Sequence, residues 1–255
     1  MEFRRVFDLI PDEFDRWRPQ YCPEAFADII GYADLKPNKK VLEIGPGTGQ
    51  ATKPLLMTGC DYVGIELGDH LYDFTKKKFA DYSNCQMING DFCTYDFADE
   101  KYDMIFSAAT IQWIPENIAF SRSFDLLKPG GCLVMIANIG DDNIRNSPEL
   151  IAAKKAVYES YFTPETPYTC RINKQNVVNY GFVPIEVSDY EYDTDMTADE
   201  FVSFTMTHAD HITLCEPNRS LFMDGLRSAI MNNGGIWKRH DRVNVVKTKK
   251  PIRSI

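Results

Sequence analysis

The sequence predicts an α/β protein with a mostly parallel sheet covered by helices on both faces. Two patterns carry that prediction. Between Lys39 and Asn138, short apolar runs alternate with longer amphipathic ones. Glycines also stand where helices should stop, at Gly59 and at Gly130-Gly131. Taken in order, a helix opens at Cys22-Pro23-Glu24, with proline near its first position, and runs to about Tyr32. Five runs then read as buried strands: 40–45, 61–66, 85–89, 102–107 and 131–137. Helices are expected between them near 50–58, 69–80 and 116–127. The last sets Phe120, Phe124 and Leu127 on one face. Downstream come a helix near 149–161 and a Pro/Thr-rich loop, Thr163 to Thr169. An alternating strand over Ile185 to Tyr192 and helical segments near 197–206 and 217–232 follow. The break at Asn233-Gly234-Gly235 precedes a final strand, Arg242 to Thr248. No internal repeat or low-complexity segment is evident.

Composition narrows the function classes. The 255 residues carry a net charge of −9, with 44% hydrophobic and 25% charged side chains. An acidic chain whose basic runs are as short as Lys76-Lys77-Lys78 and Lys247-Thr248-Lys249-Lys250 is not built to neutralise phosphates along a nucleic acid. The seven cysteines are scattered and never spaced Cys-x-x-Cys, which fits a reduced compartment and neither a disulfide framework nor a thiolate metal site. Met1 to Asp15 has no secretory core, and no apolar run approaches membrane-spanning length. A soluble cytoplasmic protein, monomer or homodimer, is expected, with a small-molecule substrate and no membrane or nucleic-acid partner.

The segment Val41-Leu-Glu43-Ile-Gly45-Pro46-Gly47-Thr48-Gly49-Gln-Ala-Thr52 lies between an expected strand and an expected helix. Glycines there let the backbone turn tightly and approach a ligand. A dinucleotide loop would place its third glycine where this chain has Gln50, and a P-loop would need Gly-Lys-Ser/Thr. Glu43 just before the loop would repel a pyrophosphate and suit a cationic group, such as the sulfonium and ammonium of S-adenosylmethionine. Glu66 ends the next strand, where an acid accepts from ribose hydroxyls. Asp91 follows the third strand and could accept from an adenine amino group, with Phe92 and Leu67 sandwiching the ring. All three acids fall at carboxyl ends of successive strands, where open α/β sheets bind ligands.

These residues resemble class I S-adenosylmethionine-dependent methyltransferases of the small-molecule type. The likeness is carried by Val41 to Thr52, Val63-Gly-Ile-Glu66, Gly90-Asp-Phe92, Tyr102-Asp103, Ser107-Ala108, Gln112-Trp113 and Leu126-Leu-Lys-Pro-Gly-Gly131. A narrower likeness, to the trans-aconitate methyltransferase-like group, rests on Arg18-Pro-Gln-Tyr21-Cys-Pro23 and on Thr207-His-Ala-Asp-His-Ile-Thr-Leu214 with Glu216-Pro-Asn-Arg219. Where that group has His-Trp after the fourth strand, this chain has Gln112-Trp113. The resemblance implies a Rossmann-like seven-stranded sheet in the order 3-2-1-4-5-7-6, its last strand antiparallel. It implies one domain with a cofactor-binding core over 36–138, N-terminal helices over 1–35 and a helical cap from about 141–180 and 196–235.

By the same resemblance Arg18 and Tyr21 reach the methionine carboxylate, or else pack an N-terminal helix. Gly45, Pro46, Gly47, Thr48, Gly49, Ser107 and Ala108 line the cofactor. Trp113 walls the pocket or fills the core. Methyl transfer from a sulfonium is an in-line displacement, in which positioning dominates and a base is optional. His208 is the preferred proton acceptor among Trp17, Tyr21, Gln112, Trp113, Tyr168, Arg171, His208 and His211. Gln112 and Trp113 are placed beside it as catalytic candidates. His208 and His211 have no third ligand nearby, so no metal is expected. Competing readings are a non-catalytic sensor or partner subunit that binds the same cofactor, a nucleic-acid methyltransferase and an NAD-dependent oxidoreductase. Ser107-Ala-Ala-Thr-Ile after the fourth strand lacks the Asn/Asp-Pro-Pro-Tyr/Phe of amino-methylating nucleic-acid enzymes.

Overall fold

A computed structural model describes residues 2–252. The chain divides into two compact units: a sheet unit of Pro19–Asn138, Cys170–Tyr190 and Val243–Ile255, and a helical unit of Met1–Arg18, Ile139–Thr169 and Glu191–Arg242.

Seven strands form one sheet: β1 (Lys40–Ile44), β2 (Asp61–Glu66), β3 (Cys85–Asn89), β4 (Tyr102–Ala108), β5 (Leu127–Gly140), β6 (Ile185–Thr197) and β7 (Ile236–Lys249). Their order is β3-β2-β1-β4-β5-β7-β6, as the sequence implied. The pairs β1/β2, β1/β4, β2/β3 and β4/β5 are parallel. Backbone bonds join Gly130 and Gly131 to Lys250, and Asp141 to His240, so β7 runs antiparallel to β5. β7 starts at Ile236, six residues before the expected strand. The polar Lys238-Arg239-His240-Asp241 stretch hides an alternation in which Trp237, Arg239 and Asp241 are buried.

In the sheet unit, α2 (Pro23–Ala33), α3 (Thr52–Leu56), α4 (Asp69–Lys78) and α5 (Glu116–Leu126) connect the strands. Helix α3 is shorter than the expected 50–58. Pro54 is tolerated only in a first turn, and Gly59 (φ +76°) closes the chain soon after. The core gathers Leu42, Ile44, Val63, Ile65, Ile105, Leu133 and Val246 around Phe120 of α5. Phe124 of the same face lies at the rim, edge-on to Phe182 at 5.1 Å. Residues 170–180, expected in the cap, group with the sheet unit. Asn176 donates to both Glu116 carboxylate oxygens at 3.0 Å, and Tyr180 packs edge-on to Phe120, which holds the 3-10 turn Lys174–Tyr180 in the sheet unit.

The helical unit contains α1 (Pro11–Trp17), α6 (Pro148–Tyr161), α7 (Ala198–Thr205), α8 (Ala209–Ile212) and α9 (Asn218–Met231). The N-terminal helices are thus shared between units, α1 in this one and α2 in the other. Helices α6 and α7 each start on a local signal. Ser147 caps α6, with Pro148 behind it, and Thr197 with Glu200 forms a capping box on α7. The interior is aromatic: Trp237 stacks on Phe201 with ring centroids 4.3 Å apart.

One buried polar tie joins β1, β2 and α3. Glu43 is fully buried, and one carboxylate oxygen accepts from the Tyr62 hydroxyl at 2.6 Å and the Thr52 hydroxyl at 2.8 Å. The other oxygen is buried with no hydrogen-bond partner. Burial raises the Glu43 pKa to about 7 against the pull of those two hydroxyls.

Two expectations follow for stability. Because Glu43 holds its proton more tightly when folded, its contribution is fully present below the unfolded carboxyl value and is lost as pH rises towards 7. Thermal melts of Glu43→Gln across pH 4 to 8 should show a flatter decline than the unaltered protein; an identical slope would refute the assignment. Phe120→Ala should cost about 3–5 kcal/mol in urea unfolding, and Phe124→Ala at the rim clearly less.

Candidate cofactor site

The glycine-rich loop leaves β1 at Gly45 and is shaped by left-handed backbone, with φ +63° at Gly45, +61° at Gly47 and +85° at Gly49. At two of these positions a side chain has no room. A Cβ on Gly45 would lie 2.4 Å from the Thr110 methyl, and one on Gly49 would lie 2.3 Å from the Phe79 ring. Pro46, Thr48 and Gly49 are buried, whereas Gly45 and Gly47 remain partly exposed, so the loop turns two glycine backbones outward.

Side chains from three elements hold this loop. Glu66, at the end of β2, accepts the Gly47 N–H at 2.9 Å on one oxygen and the Gly68 N–H at 3.0 Å on the other. Thr75 of α4 donates to the Gly47 carbonyl, and the Lys78 ammonium donates to the Thr48 carbonyl at 3.0 Å. Thr110, just past β4, donates to the Gly45 carbonyl at 3.1 Å. The roles of Thr75, Lys78 and Thr110 were not foreseen. The only sequence signal for the first two was helical spacing on α4 toward the loop, and for Thr110 there was none.

The remaining expected residues distribute as follows. In the sheet unit, Asp91 makes a turn in which its carboxylate accepts the Cys93 N–H at 2.8 Å, and Leu67 beside Glu66 is half-buried. Phe92, expected against adenine, is 4% exposed, its ring tilted against Phe97 with centroids 6.1 Å apart and lying under the Arg122 guanidinium, so it packs with the core. Glu43 likewise lies beneath the loop, held by Tyr62 and Thr52, and presents no carboxylate at the surface for a cationic group. Ser107 is fully buried with its hydroxyl unpartnered, and Ala108 is half-exposed at the end of β4. Gln112 donates its amide to the Ala109 carbonyl at 2.8 Å, bracing the turn that carries half-buried Trp113. Tyr21 packs edge-on to Phe26.

Arg18 and His208 belong to the helical unit. Arg18 donates to the Thr207 carbonyl at 2.8 Å and lies over the rings of Phe14 and Phe204, a framework contact in place of the expected carboxylate clamp. His208 meets the Thr205 carbonyl through Nδ1 at 2.8 Å. Burial, with Arg18 and His211 adding repulsion, drives its pKa well below the usual imidazole value. It is therefore neutral, donates through Nδ1 and keeps Nε2 as an acceptor of low basicity. A hydrogen-bonded chain next to it escaped the sequence reading. Asp210 accepts from or pairs with His211 Nδ1 at 2.8 Å, and His211 Nε2 meets the Tyr158 hydroxyl at 2.9 Å. The adjacent Asp-His pair was the available signal. Among the described residues, no group of three His, Cys, Asp or Glu side chains is placed to hold a metal ion.

The loop and its clamp fit an S-adenosyl group. Glu66 turns both carboxylate oxygens to the loop, one accepting the Gly47 N–H and the other the Gly68 N–H, and a carboxylate is the acceptor chemistry that two vicinal ribose hydroxyls require. The outward glycine backbones of Gly45 and Gly47 allow close approach of a ligand that carries no phosphate.

Comparison with known proteins agrees with this geometry. Residues 42–135 match a family described as a methyltransferase domain. The ribosomal RNA small subunit methyltransferase A of Thermosynechococcus vestitus is 43% identical over 72 residues, covering 28% of this chain and 27% of that protein. The sterol 24-C-methyltransferase of Candida albicans is 25% identical, covering 73% of this chain and 52% of that protein. The chain thus spans about a quarter of the first relative's length and about half of the second's. Among solved structures, the Haemonchus contortus phosphoethanolamine N-methyltransferase 2 superposes with TM-score 0.59 at 19% identity, covering 98% of this chain and 60% of that one. The YcgJ protein of Bacillus subtilis superposes with TM-score 0.58 at 12% identity, covering 89% and 98%. The match over residues 42–135 and the strand order 3-2-1-4-5-7-6 agree: the chain resembles methyltransferases in that segment and shares the fold of these solved structures.

Proposed function

We propose that the protein binds S-adenosylmethionine at the carboxyl ends of β1 to β4 and transfers its methyl group to a small-molecule acceptor. The observation that carries the reading is the Glu66 carboxylate, set at the lip of a glycine loop whose backbone it already grips. Glu66 and Asp91 would hold ribose and adenine, and Gly45, Gly47, Ser107 and Ala108 would line the cofactor, as their places at strand ends suit. When bound, the cofactor supplies an electrophilic methyl carbon on a sulfonium. The residues of this chain then chiefly orient, since fixing reactants in line supplies on the order of 7–11 kcal/mol. Gln112 braces the turn that carries Trp113, and Trp113 is the wall proposed for the acceptor side.

Two features support a small acceptor. The net charge of −9 opposes a phosphate backbone as partner, and the likeness to the ribosomal RNA enzyme stops at 28% of this chain. The phosphoethanolamine methyltransferase, which matches almost the whole chain, was captured with a small phosphorylated amine. His208 is offered as proton acceptor only for an acceptor that is itself readily deprotonated, because its surroundings hold it neutral and weakly basic. The soluble, cytoplasmic setting expected from the sequence is kept as part of this proposal; among the described residues no helix is long and apolar enough to cross a membrane.

Calorimetric titration should give saturable binding of S-adenosylmethionine and S-adenosylhomocysteine, and none of NAD. Removing the Glu66 carboxylate takes away charge-assisted bonds to ribose and to two backbone amides, so Glu66→Ala should lose affinity roughly 10²-fold. Binding of NAD, or full affinity in the variant, would overturn the cofactor assignment. With labelled methyl donor, label should pass to small amine, phenol or carboxylate acceptors and not to small-subunit ribosomal RNA. Label in the RNA would reverse the acceptor class, and binding without transfer to any acceptor would favour a sensor.

A further inference from the structure

At the opposite end of the central strands from the glycine loop, the sheet unit contains a cavity of about 220 Å³. It is lined by the end of α2 (Tyr32 to Asp34), by Lys39 before β1, by Asp103 at the start of β4, by Lys128 to Cys132 of β5 and by Lys249 of β7. On a chain with a net charge of −9, this lining brings together three ammonium groups, those of Lys39, Lys128 and Lys249.

Their pairing is incomplete. Lys128 and Lys39 share a single carboxylate, Asp103, at 2.7 and 3.4 Å, and the Lys40 backbone N–H also donates to it at 2.9 Å. Burial alone would raise the Asp103 pKa, but the Lys128 bond, the Lys40 amide and Lys39 outweigh it and keep the acid ionised. Asp34, which also lines the cavity, is exposed and paired with Lys36 at 2.6 Å. The Lys249 ammonium rests over the Tyr32 ring, 4.7 Å from its centroid. Among the described residues Lys249 has no carboxylate within ion-pair distance. The Tyr32 hydroxyl is buried without a hydrogen-bond partner. Its pKa is raised by burial and by Cys132, Glu186 and Asp28, so the phenol keeps its proton and stays a donor. A buried polar atom with no partner costs free energy that a ligand would recover.

We propose that this cavity is a second ligand site, selective for a small phosphate-type oxyanion held by Lys249, Lys39, Lys128 and the Tyr32 hydroxyl. The ammonium groups of Lys39, Lys128 and Lys249 and the Tyr32 hydroxyl belong to residues lining one cavity whose two carboxylates, Asp103 and Asp34, are each already engaged by lysine, a lining that matches an anion whose oxygens only accept. The volume lies below the 300–1,000 Å³ or so typical of drug-sized ligands, which limits the occupant to inorganic phosphate or a compact phosphorylated molecule. The five residues of β1, at about 3.3 Å each, put roughly 16 Å between this cavity and the glycine loop. The two ligands therefore bind without excluding one another.

The test is calorimetric titration of the full chain with inorganic phosphate, and separately with pyrophosphate, in low-salt buffer. Binding should saturate at one site, and its affinity should be unchanged when S-adenosylmethionine is present at saturation. Lys249→Ala should weaken it about tenfold or more, through the lost charge-assisted contact. Tyr32→Phe, which keeps the ring, should weaken it severalfold, and Lys76→Ala on α4, outside the cavity lining, should leave it unchanged. Tighter binding of pyrophosphate than of phosphate would assign a diphosphate-bearing ligand, and the reverse a single phosphate. Failure to saturate, competition with S-adenosylmethionine, or equal affinity in Lys249→Ala and Tyr32→Phe with unchanged melting temperatures would overturn the proposal. None of these outcomes depends on whether methyl transfer is observed.

Discussion

The bond pair from Glu66 to the Gly47 and Gly68 amides is the constraint on which the rest of the site depends. A loop that must offer bare backbone to a ligand cannot satisfy its own donors and acceptors through regular structure. Here its amide side is gripped by an acid from β2, and its carbonyl side by Thr75 and Lys78 of α4 and by Thr110 after β4. Strand order makes that possible. With β1 central and β2 and β4 at its flanks, the elements that follow all three strands converge on one turn. The acid is also the group suited to ribose, so the residue that shapes the loop and the residue that would read the ligand are the same.

Most of the sheet unit was legible because burial on both faces writes strands as unbroken apolar runs, and glycines punctuate them. Lys40–Ile44, Asp61–Glu66 and Cys85–Asn89 were read within a residue of their ends. Legibility fell where burial became one-sided or polar. The early half of β7 buries Arg239 against Asp241 at 2.5 Å, a pattern that resembles a solvated turn when read as letters. Phe92 and Glu43 show a second limit. Position at a strand end brings a residue near a ligand-binding edge, but side-chain direction alternates along the strand and into the turn. A one-residue difference separates a wall of the site from a member of the core.

The helical unit shows how a region can be chemically specific without being readable. Its polar groups lie among rings: Arg18 over Phe14, Arg239 over Phe204 at 4.0 Å, Lys154 over Trp237 at 4.8 Å, and the Asp210–His211–Tyr158 chain beside Phe162 and Phe222. Apart from Arg18 with Phe14 and Asp210 with His211, these partners come from segments far apart in sequence, so no local motif announces them. Arg18 is the clearest case. Its motif suggested a ligand contact, yet its guanidinium is engaged by the Thr207 carbonyl, nearly two hundred positions away.

The steric closure at Gly45 and Gly49 bears on how the chain can change over generations. Thr110 and Phe79 leave no room for even a methyl group at these positions, whatever the loop binds. A descendant that lost the proposed transferase chemistry would still be selected to keep both glycines, because replacing either distorts the turn that joins the first strand to its helix. The lip of the loop is under a different pressure. Glu66 could drift to another acceptor of backbone amides once no ribose required it. Inheritance of the glycines therefore tracks the architecture, whereas inheritance of the carboxylate tracks the ligand.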